Sequence, residues 1–225
     1  MESGVTGPAG GLARGYADSG RSGPVTGYSI VLPPGWRRIP IQHGTRTAIR
    51  EIADEVLGRR PQHISPDQVA PYRVQIEHRL SELAKKTRTL GGVDLYLPIA
   101  CAHGTAIPAS FIVSEGSPLA SGVVDPGQVA GYLASAEDAS PAMVDGCKGA
   151  RMEHTAAAEV ASGIPAGSRR VDYVLPVPGH ASRWLIVTFS TPGDGDPAGE
   201  FARLLVHLFD SIMLTFRWTT DHVAG

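Results

Sequence analysis

Three stretches bring together thiol, imidazole, carboxylate or hydroxyl groups at short intervals. In "CAHG", Cys101 and His103 stand two apart, with Cys147 and His154 further along. Zinc needs four such donors converging, and the C-x-x-C spacing of soft-ligand sites is missing. This pattern predicts a buried thiol beside a turn histidine. In "GDGDPAGE", Asp194, Asp196 and Glu200 are closely spaced oxygen donors. The twelve-residue calcium loop with its closing glutamate is absent, so a turn leading into a helix cap accounts for them without a metal. Ser190, His180 and Asp194 are nucleophile, base and acid types, but no G-x-S-x-G elbow presents the serine. A chain with eight histidines offers such coincidences, and His43, His63, His78, His207 and His222 are equally scattered. A phosphate loop and a G-x-G-x-x-G fingerprint are also absent. The expectation is no catalytic residue, no cofactor and no metal.

Charge is more informative. Residues 37–88 hold eleven Arg and Lys against six Asp and Glu, whereas from residue 89 onward the count is seven against fourteen. The basic segment thus balances an acidic remainder within a chain of net charge −2. Two readings follow: charges that solvate faces and complement one another, or a basic groove that steers an acidic protein partner. The residues of such a groove are Arg37, Arg38, Arg59, Arg60, Arg73, Lys85 and Lys86. Only Trp36 and Tyr72 bring aromatic rings near them, which disfavours nucleic acid.

Composition sets the frame. At 225 residues, 42% hydrophobic, the chain can bury a full core. Two cysteines are too few for a disulfide framework; a single Cys101–Cys147 bridge is open, and two thiols in a reducing compartment are favoured. The N-terminus has neither a basic start nor the apolar run of a signal peptide, and no stretch reaches the roughly 18 apolar residues of a span. The expected location is the cytoplasm.

The elements that would position these groups follow from periodicity. Residues 1–27 hold eight glycines and almost no large apolar side chains, which predicts a disordered tail. A domain over 28–219 and a short C-terminal tail over 220–225 complete the chain. Ile30 and Leu32 share one face of an opening strand that Pro33-Pro34-Gly35 ends, and Trp36 anchors the core. "GTRTAIREIADEVLG" is a helix capped by Thr45 and stopped by Gly58. After a linker, "PYRVQIEHRLSELAKKTRTLGG" is a second, with Pro71 in its first turn, an inner stripe of Ile76, Leu80, Leu83 and Leu90, and a Glu82–Lys86 pair outside. "GVDLYLPIA", "TAIPASFIVSEG", "MVDGCKGARMEHTAAAEV", "RRVDYVLPVPG" and "RWLIVTFSTPG" read as strands, and "VDPGQVAGYLASAED" as a short helix. "DPAGEFARLLVHLFDSIMLTF" is the strongest helix. Asp196 and Pro197 open it, its stripe runs from Phe201 through Leu204, Leu205, Leu208, Phe209, Ile212 and Met213 to Phe216, and "FRWTT" returns to the core.

Strands joined by short connections, with helices before and after, predict an α+β class: an antiparallel β-sheet layered with helices. The elements "YSIVLPPGWRRI", "RWLIVTFSTPG" and "FARLLVHLFDSIMLTFRW" together resemble the Mog1/PsbP-like α/β/α sandwich over about Tyr28 to Thr219. The composition resembles that of actinobacterial proteins. The resemblance implies binding and assembly roles, as in a Ran-binding factor, a photosystem subunit and actinobacterial lipoproteins, and it transfers no functional residue. The functional expectation is a non-enzymatic protein-interaction or assembly factor. A small-ligand or lipid carrier, with its cavity between sheet and last helix, is the alternative, and a hydrolase ranks third.

Overall fold

Seven strands pair into one antiparallel sheet, with burial alternating most clearly along its central strands. A computed structural model describes residues 24–59, 65–100, 106–116, 139–156, 167–180 and 182–220. In chain order the elements are β1 (Val25–Ser29), β2 (Trp36–Pro40), α1 (Thr45–Gly58), α2 (Pro66–Thr89), β3 (Gly92–Pro98), β4 (Ser110–Gly116), β5 (Ala139–Val144), β6 (Cys147–Ala156), β7 (Ser168–Pro176), β8 (Trp184–Thr191), α3 (Glu200–Met213) and β9 (Arg217–Thr220). The sheet order is β2-β3-β4-β8-β7-β6-β5, with every neighbouring pair antiparallel, while β1 and β9 form a separate two-stranded ribbon.

Because side chains alternate across a strand, the sheet offers two apolar faces. On one, Phe111, Val113, Val171, Tyr173, Leu175, Leu185, Val187 and Phe189 meet Leu205, Phe209, Ile212 and Met213 of α3 and Phe216 and Trp218 of the ribbon. On the other, Ile39, Ile41 and Leu95 meet Ile49 and Ile52 of α1 and Ala84 of α2. The α+β architecture with helices on both faces therefore stands. Phe209 is its keystone: fully buried, it stacks on Phe189 at 4.8 Å and lies within 5.7 Å of Phe111 and Tyr173.

Polar clamps fix the layers. Arg151 of β6 donates from Nε and Nη2 to both carboxylate oxygens of Asp210 on α3 at 3.0 Å, and the Tyr173 hydroxyl donates to the same carboxylate at 2.9 Å. Arg151 also reaches Glu153 at 2.7 Å, which accepts from Arg169 Nε at 2.6 Å. Burial alone would raise the Glu153 carboxyl, but its bonds from Arg151 and Arg169 outweigh burial and hold it below the usual range.

Several local expectations are corrected. The opening strand starts at Val25 and stops at Ser29, so Val25, Thr26 and Gly27 join the folded unit, and Ile30 and Leu32 are half-buried beyond the strand. Residues 1–23 lie outside the described residues, as do the expected helix over 124–138 and the C-terminal 221–225. Thr45 is the first residue of α1 and not its cap: its hydroxyl donates to the carbonyls of Pro40 (2.6 Å) and Ile41 (3.1 Å), tying the helix to the end of β2. Helix α2 begins at Pro66, where Ser65 and Gln68 make reciprocal bonds, so Pro71 sits inside it. Helix α3 begins only at Glu200, because Asp196 turns the chain first by accepting the Ala198 and Gly199 amides. "MVDGCKGARMEHTA" is two strands: Asp145 (φ 47°) and Gly146 (φ 78°) take the paired left-handed conformations of a two-residue hairpin turn. The return of the C-terminal segment to the core is observed, with Phe216 fully buried and Trp218 paired across from Tyr28.

Phe209→Ala should cost about 3–5 kcal/mol, read as a lower urea midpoint. Leu204→Ala on the same helix, 58% exposed, should change stability by no more than about 0.5 kcal/mol.

Candidate interaction face

The residue types that could do chemistry do not converge. Cys101 and His103 lie outside the described residues. Cys147 and His154 are seven apart on β6, so alternation sends them to opposite faces. Ser190 stands near the end of β8, paired with Ser110 and Arg170, whereas His180 sits in the turn before that strand begins. Six residue steps along β8 carry the chain from Trp184 to Ser190, roughly 20 Å, so Ser190, His180 and Asp194 form no triad. Asp196 is committed to its turn, and among the described residues no three His, Cys, Asp or Glu side chains group to hold a metal. A polar cavity of about 560 Å³ is lined by Glu153, His154, Thr155 and Arg169, with Glu153 and Arg169 already paired to each other.

The seven basic residues are dispersed, and most have carboxylate partners. Arg37 clasps Glu55 of α1 through Nε (2.6 Å) and Nη2, and Arg59 shares that carboxylate at 2.6 Å. Arg38, one residue on, lies on the opposite face of β2 and donates from Nε to Asp94 at 2.7 Å. Arg73 pairs with Asp54 and reaches Glu77 at 3.6 Å. Lys85, not Lys86, takes Glu82, at 2.7 Å. Arg60 lies outside the described residues. Among the described residues, Lys86 has no carboxylate within ion-pair range, and neither do the exposed Arg79 of α2 or Arg46 and Arg50 of α1.

Lys86 and Arg79 border a feature that the inner-stripe reading missed. Helix α2 turns Leu80, Ala84 and Thr87 inward, and the last two are small. Its C-terminal end lies so close to β3 that a Cβ on Gly92 would stand 2.4 Å from Thr87 Cγ2. That approach leaves no room for Leu83 and Leu90, which are 38% and 66% exposed, with Tyr72 at 45%. Val69 and Ile76, both half-buried, precede Leu83 and Leu90 at strict seven-residue intervals. Tyr72, Arg79 and Lys86 repeat three residues after them. Six of these side chains lie on α2 and Leu90 stands at its C-cap; at 3.6 residues per turn they form one ridge, an apolar seam with cations along it. The legible signal was the interval of seven superimposed on the shorter helical spacing.

The Arg38 partner belongs to a second arrangement. Tyr28 of β1 donates its hydroxyl to Asp94, whose residue is 2% exposed, and stands 3.1 Å from the Tyr96 hydroxyl. This ties the β1–β9 ribbon to the sheet. Burial, with the neighbouring Tyr96 and Asp94, pushes the Tyr28 hydroxyl far above its ordinary range, and burial pushes Tyr96 up to about 12.

No protein-family model matches the chain, and no curated protein does. Among solved structures the chain is similar to the crystal structure of LpqN, involved in cell envelope biogenesis of Mycobacterium tuberculosis, at 13% identity and a TM-score of 0.45, covering 89% of this chain and 87% of that one. At that score the likeness carries no argument about function. Among the described residues no helix is long and apolar enough to cross a membrane.

A tyrosine with a raised folded pKa stabilises the protein below its unfolded value, about 10, and that contribution is lost as pH rises through the folded value. Denaturant midpoints should therefore hold from pH 8 to about 10 and fall above it. Tyr28→Phe should lower the midpoint at pH 8 while flattening the alkaline fall. An alkaline profile unchanged by that substitution would refute the assignment.

Proposed function

We propose that the chain is a non-enzymatic protein-interaction factor that receives a partner protein on the outer face of α2. The carrying observation is the exposed seam of Tyr72, Leu83 and Leu90 beside Arg79 and Lys86, cations without a carboxylate among the described residues. Exposed apolar side chains scattered singly need no explanation, but a continuous ridge does. Of the basic residues named from sequence, Lys86 belongs to this ridge. Arg37, Arg59, Arg73 and Lys85 are neutralised by carboxylates of the helical layer, and Arg38 lies on the opposite face of the sheet, so among the described residues the cations without a carboxylate set the sign of this face. The Mog1/PsbP-like resemblance agrees with a binding role, and a cytoplasmic location belongs to the same reading.

A lipid or small-ligand carrier needs space between the sheet and α3. That layer holds Phe209 packed against Phe111, Phe189 and Tyr173, with ring centroids 4.8 to 5.7 Å apart. This packing favours the protein-binding reading.

A photo-crosslinking residue at position 83 should form an adduct with a partner in extract of the source cell. The same residue at position 74, exposed but about half a helical turn away, should not. The adduct should weaken at about 0.5 M salt, where charge attraction is screened. Leu83→Glu with Leu90→Glu should abolish it while the folded spectrum is retained. No adduct at 83, or identical adducts at 74, would refute the proposal.

A further inference from the structure

We infer that the occupant of the α2 face is an amphipathic helix of another protein, carrying carboxylates that lie against Arg79 and Lys86, and that it packs along α2 in parallel as a two-stranded coil. The inference rests on the α2 reading and adds the chemistry and shape of the partner. Writing the ridge as heptads places Val69, Ile76, Leu83 and Leu90 at the first position of each repeat and Tyr72, Arg79 and Lys86 at the fourth. First and fourth positions form the seam of a two-stranded coil. A first-position column that is apolar throughout specifies a rod-shaped partner with the same repeat. Two of the three fourth positions are cationic, and a cation drawn into a seam is stabilised only when an anion meets it there.

The charge pattern also decides against a second copy of this chain. In a parallel self-pair, Arg79 faces Arg79 and Lys86 faces Lys86, each a like-charge juxtaposition inside the seam. Reversed, first positions face fourth positions, and Ile76 and Leu83 are set against those cations. A partner helix that is apolar at its first positions, and acidic where it meets Arg79 and Lys86, removes both penalties. It does so in the parallel alignment, because only there do apolar first positions meet one another. The neighbouring charged groups do not compete. Arg73 is held by Asp54 and Glu77, and Glu82 by Lys85, so neither Glu77 nor Glu82 of α2 is left to fold over the cations.

The probes are two synthetic helical peptides of about four heptads, with Leu at first positions and opposite Tyr72. One carries Glu opposite Arg79 and Lys86, and the other carries Lys. By fluorescence anisotropy with the full chain, the Glu peptide should bind at least about tenfold tighter than the Lys peptide. Arg79→Glu with Lys86→Glu should reverse that order while leaving the folded spectrum unchanged. Equal binding of both peptides, or binding of neither, overturns the inference, and so does sedimentation showing that the chain pairs with itself through Leu83. The two levels separate cleanly. An adduct at position 83 together with peptide failure leaves the face and removes the helix. Failure of both removes the face as well.

Discussion

The structure depends on one seat. Phe209 enters a pocket of rings supplied by β4, β7 and β8 and is wholly excluded from water there. A sheet that is apolar on both faces cannot remain in water with one uncovered. The order β2-β3-β4-β8-β7-β6-β5 places β8 at the centre, where α3 can cover it directly. The rest of that face is closed from the same end of the chain, because Phe216 and Trp218 follow α3 immediately and pair the last strand with the first. Burial of this kind is non-directional, so the clamps set the angle. Asp210 takes Arg151 and Tyr173 at one side of the layer, and Asp94 takes Tyr28 and Arg38 at the other.

Those clamps also account for the charge pattern. The acidic residues beyond residue 89 are not a diffuse field. Asp94 and Asp172 are buried, and Asp94, Glu153, Asp172 and Asp210 are each bonded to arginine. The basic segment is paired in the same way, locally and mainly within its helices. Among the described residues, complementation inside the monomer therefore absorbs much of both signs. What remains on the helical layer without an ion-pair partner, among the described residues, is Arg46, Arg50, Arg79, Lys86 and Arg88 with Glu51, and it is the remainder, not the total, that sets the field at its surface.

Periodicity made the large elements legible. The α3 stripe, Trp36 as a core anchor and the returning C-terminal strand could be read because large apolar side chains at regular spacing leave few alternatives. Boundaries were harder. Thr45 has the composition of a cap but spends its hydroxyl on β2, and Asp196 has it too but spends its carboxylate on a turn. The Asp145-Gly146 turn was written plainly as a hairpin dipeptide, yet weak flanking hydrophobicity hid it. For the candidate face, the charges were visible and their pairing was not. Arg37 and Arg38 are adjacent in sequence and separated by the thickness of a sheet.

The exposed leucines follow from the same packing that stabilises α2. A helix lies close to a sheet only where its inward positions are small, and Ala84, Thr87 and Gly92 meet that condition together. Turning the helix to bury Leu83 and Leu90 would carry Ala84 and Thr87 off the sheet and drive two large side chains into the space that Gly92 leaves. Close packing and an outward apolar ridge are thus one constraint seen from two sides. Such a ridge invites indiscriminate association unless something limits it. Arg79 and Lys86, which have no carboxylate partner among the described residues, border the ridge, and a charge beside an apolar stripe opposes its burial under a bare hydrophobic surface.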